Sequence, residues 1–171
     1  MAGTTPLRLP QVTERYSVLV LQVAINVKRL FELGKEYPWP RPERCLSCNS
    51  LRVWGHGYVQ RYFDDYLQAL WVKRLRCPDC RTVYTLRPDL FYRGFRYSFQ
   101  TILSSLAKRM EHQCWLSYVP RQNQQYWYKG LLLQAQRFRT VLRPTMHTVR
   151  EIISRGFIPV SHALDCAILR L

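Results

Sequence analysis

Two matched cysteine pairs constrain the fold of this 171-residue chain more than any other feature. The first pair is Cys45-Leu46-Ser47-Cys48 and the second is Cys77-Pro78-Asp79-Cys80, with 28 residues between them. A C-x-x-C step lets two thiolates of one tight turn reach the same ion, and a second such turn completes a tetrahedron of sulfurs. Cys45, Cys48, Cys77 and Cys80 are therefore predicted to bind one structural Zn²⁺ ion.

Other uses of these thiols are less favoured by the sequence. A disulfide framework is disfavoured because no secretory signal is visible and the two spare cysteines, Cys114 and Cys166, are far apart in the sequence. These two cysteines are predicted to be small buried apolar residues. Thioredoxin-like chemistry needs a single C-x-x-C on a βα unit. An iron carrier of the rubredoxin kind uses the same ligands, but Asn49 and Arg81 stand where such carriers have glycine. Four cysteine ligands leave no open position for water, which disfavours catalytic zinc.

The sequence between and after the pairs predicts a zinc ribbon over residues 41–90. Leu51–Phe63 and Tyr66–Arg76 are rich in β-branched and aromatic residues and flank a turn, and Thr82–Leu86 predicts a third strand. His56, between two glycines, is interpreted as a strand residue beside a bulge, with a substitute ligand or a phosphate contact as alternatives. A ribbon of about 40 residues buries too little apolar surface to fold alone, so metal binding is expected to stabilise it.

The composition indicates a folded, strongly basic protein. Hydrophobic residues make up 47% of the chain, which excludes wholesale disorder, and the formal net charge is +15. Residues 81–171 hold 14 basic and 4 acidic residues, so most of the positive charge lies in this half. The longest apolar stretch, Val18–Val27, is too short to cross a bilayer. We expect a soluble cytoplasmic protein, associated with the bacterial nucleoid, that attracts polyanions.

Helical patterns dominate the second half of the chain. Ser98 is a predicted N-cap for a helix that runs to about His112, a short helix is predicted over Cys114–Val119, and Pro120 suits the first turn of the next helix. Two further helices are predicted, one capped by Thr145 and a last one capped by Ser161. Before the ribbon, residues 1–40 form a predicted extension with one strand and one helix.

The helix after Pro120 opens with side chains that can read DNA bases. Arginine recognises guanine through two donors, and asparagine or glutamine recognises adenine through one donor and one acceptor. Such residues at a helix start fit the second helix of a helix-turn-helix, although a solvated first turn has the same composition. The candidate base contacts are Arg121, Gln122, Asn123, Gln124, Gln125 and Lys129. Candidate contacts to the nucleic-acid backbone are Arg87, Arg93 and Arg96.

The order of these parts resembles the N-terminal DNA-binding region of bacterial insertion-sequence transposases, and small zinc-ribbon proteins of mobile elements. The likeness covers about residues 41–134 and is carried by the two C-x-x-C pairs, by Trp54-Gly55-His56-Gly57-Tyr58 and by Trp71-Val72-Lys73-Arg74-Leu75-Arg76-Cys77. It implies sequence-directed binding to element ends or to a promoter. The catalytic domain of a transposase needs three spaced carboxylates, and the residues after the ribbon offer only Asp89, Glu111, Glu151 and Asp165. The resemblance is therefore to a binding subunit or regulator.

Together these observations predict an α+β chain: a small three-stranded zinc ribbon, then an α-helical, helix-turn-helix-like region over 91–171, preceded by the short N-terminal extension. The function expected is non-enzymatic binding of nucleic acid, double-stranded DNA in the first place. The alternative is an adaptor whose ribbon binds a protein partner or RNA. A transposase or other protein partner and a homodimer are further candidates, and no membrane contact is expected.

Overall fold

The structure is a computed structural model that describes residues 18–64, 66–138, 143–163 and 167–171. Its strands are β1 (Val18–Val23), β2 (Trp54–Arg61), β3 (Leu70–Arg76), β4 (Val83–Pro88) and β5 (Leu169–Arg170). Its α-helices are α1 (Val27–Leu33), α2 (Phe99–His112), α3 (Arg121–Arg137) and α4 (Met146–Ser154), and a 3₁₀ turn covers Gly34–Glu36. None of the helices in these described ranges has the length and apolarity needed to span a bilayer.

The five strands form one mixed sheet in the order β2-β3-β4-β1-β5. β2, β3 and β4 run antiparallel, as expected for a ribbon, but β1 pairs in parallel with β4 over its whole length, from Val18 opposite Val83 to Val23 opposite Pro88. β5 then pairs in parallel with β1. The predicted fold class, a separate three-stranded ribbon followed by a helix-turn-helix-like region, is therefore wrong. β4 is buried along almost its whole length, as a central strand must be, and the apolar β1 covers the edge that a free ribbon would expose.

The buried residues form two hydrophobic clusters, and the boundary between them in the sequence falls between Phe91 and Tyr92. The first joins the sheet and α1 to the cysteine turns and includes Leu30, Val72, Leu75 and Phe91. The second joins α2, α3 and α4 around Ile102, Leu106, Trp127, Leu131 and Ile152. Trp127 and Leu131 of α3 and Leu106 of α2 are all buried in this second cluster.

The helical half departs from a helix-turn-helix at the connection between α2 and α3. Ser98 caps α2 as predicted, its side chain accepting from the N–H of Thr101. The connection spans residues 113–120, longer than the three or four residues of a helix-turn-helix turn. The helix predicted over Cys114–Val119 does not form. The buried Gln124 bonds both the N–H and the C=O of Leu116, so these groups are unavailable to a helix.

The C-terminal residues also differ from the prediction. Thr145 caps α4 as expected, and the next turn contains Gly156 with a φ of +81°. The last predicted helix includes residues 164–166, which lie outside the described residues. The described residues after them form a bridge at Ala167 and the strand β5, not a helix. The N–H of Ile168 donates to the C=O of Gly156, and the N–H of Leu171 donates to Gln22, so sheet bonds satisfy this backbone.

Candidate metal centre and predicted nucleic-acid contacts

The two cysteine turns have the same backbone construction. The N–H of Cys45 donates to the C=O of Ser50, and the N–H of Cys77 donates to the C=O of Thr82, five residues on in both cases. In each turn the residue after the second cysteine is left-handed, with φ of 60° at Asn49 and 62° at Arg81. These are the positions where glycine is common in such turns, and asparagine tolerates this region better than arginine. The turns thus point their paired thiols toward one another.

The four cysteine sulfurs form one cluster of metal-binding size. All four Sγ atoms lie within 4.8 Å of one another, with Cys45 and Cys80 3.5 Å apart and Cys48 and Cys77 3.6 Å apart. A tetrahedral ion with metal–sulfur bonds near 2.3 Å needs sulfurs about 3.8 Å apart. The cysteines are free thiols, and their sulfurs are too far apart for disulfides. The predicted four residues therefore meet at a site that could hold a metal ion.

Tyr84, which sequence reasoning missed, supports this centre from the start of β4. Its fully buried hydroxyl lies 2.9 Å from Cys45 Sγ and 3.0 Å from Ser47 Oγ, and it accepts from the N–H of Ser47 at 3.2 Å. On the second turn, Cys80 Sγ lies 3.2 Å from Thr82 Oγ1. In the sequence, Tyr84 reads as one more apolar residue of the TVYTL strand. The available signal is a polar aromatic four residues after Cys80.

The pKa values of the first two thiols, Cys45 and Cys48, are shifted in opposite directions. Burial alone raises the pKa of Cys45, but hydrogen bonds from Tyr84 and from the backbone of Cys48 and Ser47 outweigh it and lower the pKa to about 6. The pKa of Cys48 is raised to about 12, because burial and the three neighbouring thiols outweigh the lowering by the N–H of Ser50. Several thiolates at this spacing repel one another, and a cation among them removes that repulsion.

Asp79 links the two cysteine turns on the outside of the cluster. Its carboxylate accepts from the hydroxyl of Ser50 and, at 2.8 Å, from the guanidinium of Arg52. Both partners follow the first turn, whereas Asp79 lies within the second. The contact is exposed, so its contribution to stability is modest, and it joins the two turns on their solvent side.

The candidate base contacts on α3 fall into three groups. Arg121, Gln122, Gln125 and Lys129 are exposed. Asn123 is half-buried and donates to the hydroxyl of Tyr97 at 3.2 Å. Gln124 is fully buried, and its amide makes four hydrogen bonds, to Ser105, to both backbone groups of Leu116 and to the C=O of Val119. Its amide is thus used inside the fold and does not face a nucleic acid.

The three candidate backbone contacts are also unequal. Arg87 donates to the C=O groups of Phe91 and Phe95, with its guanidinium 4.9 Å from the Phe63 ring centroid. Burial lowers the pKa of Arg87 to about 10, with the charge of Arg61 adding to the effect. It connects the sheet to the segment before α2. Arg96 is exposed and pairs with Asp64 at 3.5 Å, and Arg93 is exposed at the mouth of a small cleft beside Tyr126 and His162.

Other residues singled out in the sequence are placed as follows. His56 lies at an irregularity in the β2–β3 pairing between Gly55 and Tyr58, which confirms the predicted bulge. It is absent from the cysteine cluster, the metal-ligand group found among the described residues. Cys114 is exposed, so the prediction that it is buried is wrong, and Cys166 lies outside the described residues.

Comparisons of the chain with protein-family models, with curated proteins and with solved structures find no match. The function is therefore argued from the site itself.

Proposed function

We propose that this chain is a zinc-stabilised, non-enzymatic protein that binds double-stranded DNA. The observation that carries the proposal is a four-thiol cluster built into the sheet of a chain with a net charge of +15. The cluster supplies stability, and the positive charge supplies attraction to a polyanion.

Zinc is the metal that best suits the cluster. Tetrahedral sites of four sulfurs favour zinc or iron, and the strongly basic surface is unlike that of an electron carrier. A site of four cysteines has no ligand position left for a substrate water, so the ion is assigned a structural role. Elemental analysis of protein purified without added metal is expected to find one zinc per chain. Iron in that place, with visible absorption from thiolate-to-iron charge transfer, would overturn the assignment.

The exposed polar stripe of α3 is the proposed contact to duplex DNA. Arg121, Gln125 and Lys129 are spaced four residues apart and therefore share one face of the helix, with Gln122 beside them. All four are exposed and carry donors suited to phosphates or base edges. Arg143 and Arg150 add exposed positive charge in the segment that follows. We call Arg121, Gln122, Gln125 and Lys129 the α3 stripe.

Salt dependence tests the proposal directly. Each phosphate neutralised on duplex DNA contributes about −0.9 to the slope of log affinity against log salt concentration. The double variant Arg121→Ala, Lys129→Ala is expected to reduce the magnitude of the slope by about 1.8. The matched control is Lys28→Ala, Arg29→Ala, which removes two exposed charges from α1. Duplex binding that is absent, or insensitive to salt, would overturn the proposal.

The biological setting proposed is that of a mobile-element binding subunit or a transcriptional regulator. Support comes from the resemblance of the two C-x-x-C pairs and the Trp54-Gly55-His56-Gly57 segment to transposase N-terminal regions. A selection from random duplexes tests it, because a regulator or end-binding subunit should enrich one sequence. Enrichment of no sequence would leave general DNA binding and remove this role.

An adaptor function is the second candidate. Exposed apolar side chains near the first cysteine turn favour it: Leu46 is 54% exposed and Leu51 is 65% exposed. Affinity capture with and without nuclease separates the two functions. Partners that survive nuclease and are lost on Leu46→Ser, Leu51→Ser would favour the adaptor.

A further inference from the structure

A small cleft lies at the carboxyl ends of the three parallel strands, between the sheet and the helical half of the chain. β4, β1 and β5 run in the same direction, and the cleft is lined by Gln22 near the end of β1, Asp89 directly after β4 and Arg170 at the end of β5. Gln22 and Arg170 are register partners, so their side chains lie on the same face of the sheet. In open α/β sheets the carboxyl ends of the strands are where ligands bind. We call this cavity the junction cleft.

One wall of the junction cleft is apolar. Four half-buried side chains form it, and they also pack against the second hydrophobic cluster: Phe99 and Leu103 of α2, Ile153 of α4 and Ile168 just before β5. The cleft has a volume of about 190 Å³. Pockets for drug-sized ligands have volumes of about 300–1,000 Å³, so the junction cleft suits a smaller molecule with an apolar part.

A buried hydroxyl lies in the same cleft. Tyr92 lines the cleft and is only 5% exposed, and its hydroxyl makes no hydrogen bond within the described part of the chain. Burial raises the pKa of Tyr92 to about 12, so the hydroxyl remains a donor at neutral pH, and the opposing effect of the Arg170 charge shows that this guanidinium lies near it. Buried tyrosine hydroxyls usually have a hydrogen-bond partner, so this donor is available to a ligand.

Two opposite charges lie at the rim of the cleft. Asp89 is half-buried and Arg170 is exposed, and neither forms an ion pair with another described residue. The cleft therefore offers a ligand one carboxylate, one guanidinium and one neutral donor beside its apolar wall. A molecule that carries both an anionic and a cationic group satisfies both rim charges, whereas a simple acid or a simple amine satisfies one.

We propose that the junction cleft binds a free α-amino acid with an apolar side chain. Arg170 and the Tyr92 hydroxyl bind its carboxylate, Asp89 binds its ammonium group, and its side chain packs against Leu103 and Ile153. The inference goes beyond the proposed binding of DNA and does not depend on it, because no residue of the α3 stripe lines the cleft.

The test is isothermal titration calorimetry of the full zinc-loaded chain with L-leucine, L-methionine and L-phenylalanine. At least one of them is expected to bind with a Kd below about 1 mM. Two analogues of the tightest binder then show which charges are recognised: its deaminated acid, which lacks the ammonium group, and its carboxamide, which lacks the carboxylate. Each analogue is expected to bind about 10-fold or more weakly than the amino acid, because each loses one charge-assisted hydrogen bond.

The variants Asp89→Asn and Arg170→Gln separate the two charges of the rim. Asp89→Asn is expected to weaken amino-acid binding about 10-fold and to leave the affinity for the deaminated acid unchanged. Arg170→Gln is expected to weaken binding of both the amino acid and the deaminated acid and to leave the affinity for the carboxamide unchanged. The matched controls, Glu32→Gln and Arg29→Gln, remove the same charges from the exposed surface of α1.

Tyr92→Phe removes only the hydroxyl and keeps the buried ring in place, so it should preserve the fold and weaken binding several-fold. Failure of all three amino acids to bind would overturn the inference. It would also be overturned if the amino acid and its deaminated acid bound equally well, or if both rim variants kept wild-type affinity. None of these results bears on the proposed function, which is measured on the α3 stripe with duplex DNA.

Discussion

At the scale of single residues, Tyr84 connects the central strand of the sheet to the sulfur cluster through one hydroxyl. That hydroxyl contacts Cys45 Sγ and both the side chain and the N–H of Ser47. Groups that hydrogen-bond a metal ligand fix its orientation and its charge, and their loss typically costs 10- to 100-fold in metal affinity. The tyrosine therefore belongs to the metal centre as much as to the core.

Tyr84→Phe is expected to weaken zinc affinity about 10-fold or more, measured by competition with a chromophoric chelator. The variant loses a donor that stabilises the Cys45 thiolate, so the pKa of Cys45 rises and protons compete with the metal at higher pH. The midpoint of acid-induced metal release should accordingly move to higher pH. Tyr58→Phe is the control, since it removes a hydroxyl that bonds the C=O of Lys35, away from the sulfurs. Equal zinc retention in the two variants would contradict the role given to Tyr84.

Gln124 is the second residue whose role the structure changes. Its four hydrogen bonds satisfy buried groups of the α2–α3 connection, and an alanine there would leave them without partners. Each unsatisfied buried group costs about 1–3 kcal/mol, and the terms do not add fully. Gln124→Ala is expected to lower the unfolding free energy by about 3 kcal/mol in urea titrations, whereas Gln125→Ala, on the exposed side, should change it by less than about 0.5 kcal/mol. Similar values for both would show that the amide bonds contribute little.

At the scale of elements, the strands and helices with a strong local pattern were predictable. The β2–β3–β4 order and the helices α2, α3 and α4 follow from alternation, capping residues and periodicity in the sequence. The parallel pairing of β1 with β4 was not predictable from local pattern, because it joins residues about 65 positions apart with no turn between them to indicate it. β5 has two residues, fewer than any periodicity can reveal.

The metal ligands were predictable for the opposite reason. Their chemistry is encoded in short spacings, so Cys45, Cys48, Cys77 and Cys80 could be assigned without knowing the fold. The α3 residues illustrate the limit of this reasoning. The first five residues of α3, from Arg121 to Gln125, are all polar, but the helix geometry places Gln124 in the core and Gln125 in solvent. Which of them face outward depends on the tertiary packing of α3.

A close contact at Gly130 fixes α3 against the segment that follows α4. A Cβ added at Gly130 would lie 2.1 Å from the carbonyl oxygen of Val160, a backbone atom that cannot move independently. Gly130→Ala is therefore expected to lower the unfolding free energy by about 2 kcal/mol, despite the better helix propensity of alanine. Gly55→Ala, which has open space around it, is the control and should be close to neutral. The measurement is the urea midpoint of each variant, and a stabilised Gly130→Ala would show that the two segments separate easily.

At the scale of the whole molecule, loss of the metal is expected to affect the two hydrophobic clusters differently. The first contains Cys45 and Cys77 among its buried residues, so the sulfur cluster is part of that core. The second is built from the helices and contains no cysteine among its described members. Arg87 connects the two regions, because its guanidinium donates both to the C=O of Phe91 in the first cluster and to the C=O of Phe95, which packs against the second.

Removal of the metal by a strong chelator is therefore expected to act unevenly, and hydrogen exchange read by mass spectrometry can show it. Without the cation the four thiols lose their common ligand, and the cysteine turns before β2 and after β3 lose the link between them, so the amides of these two strands should exchange at least about 100-fold faster. Amides of α2 and α3 should change by less than about 10-fold, because their core does not include the metal ligands. In the double variant Cys48→Ser, Cys80→Ser the chelator should have no further effect, since the site is already lost. If α2 and α3 lose protection together with β2 and β3, the sheet and the helices unfold as one cooperative unit, and the metal stabilises the whole chain through the contacts of Arg87.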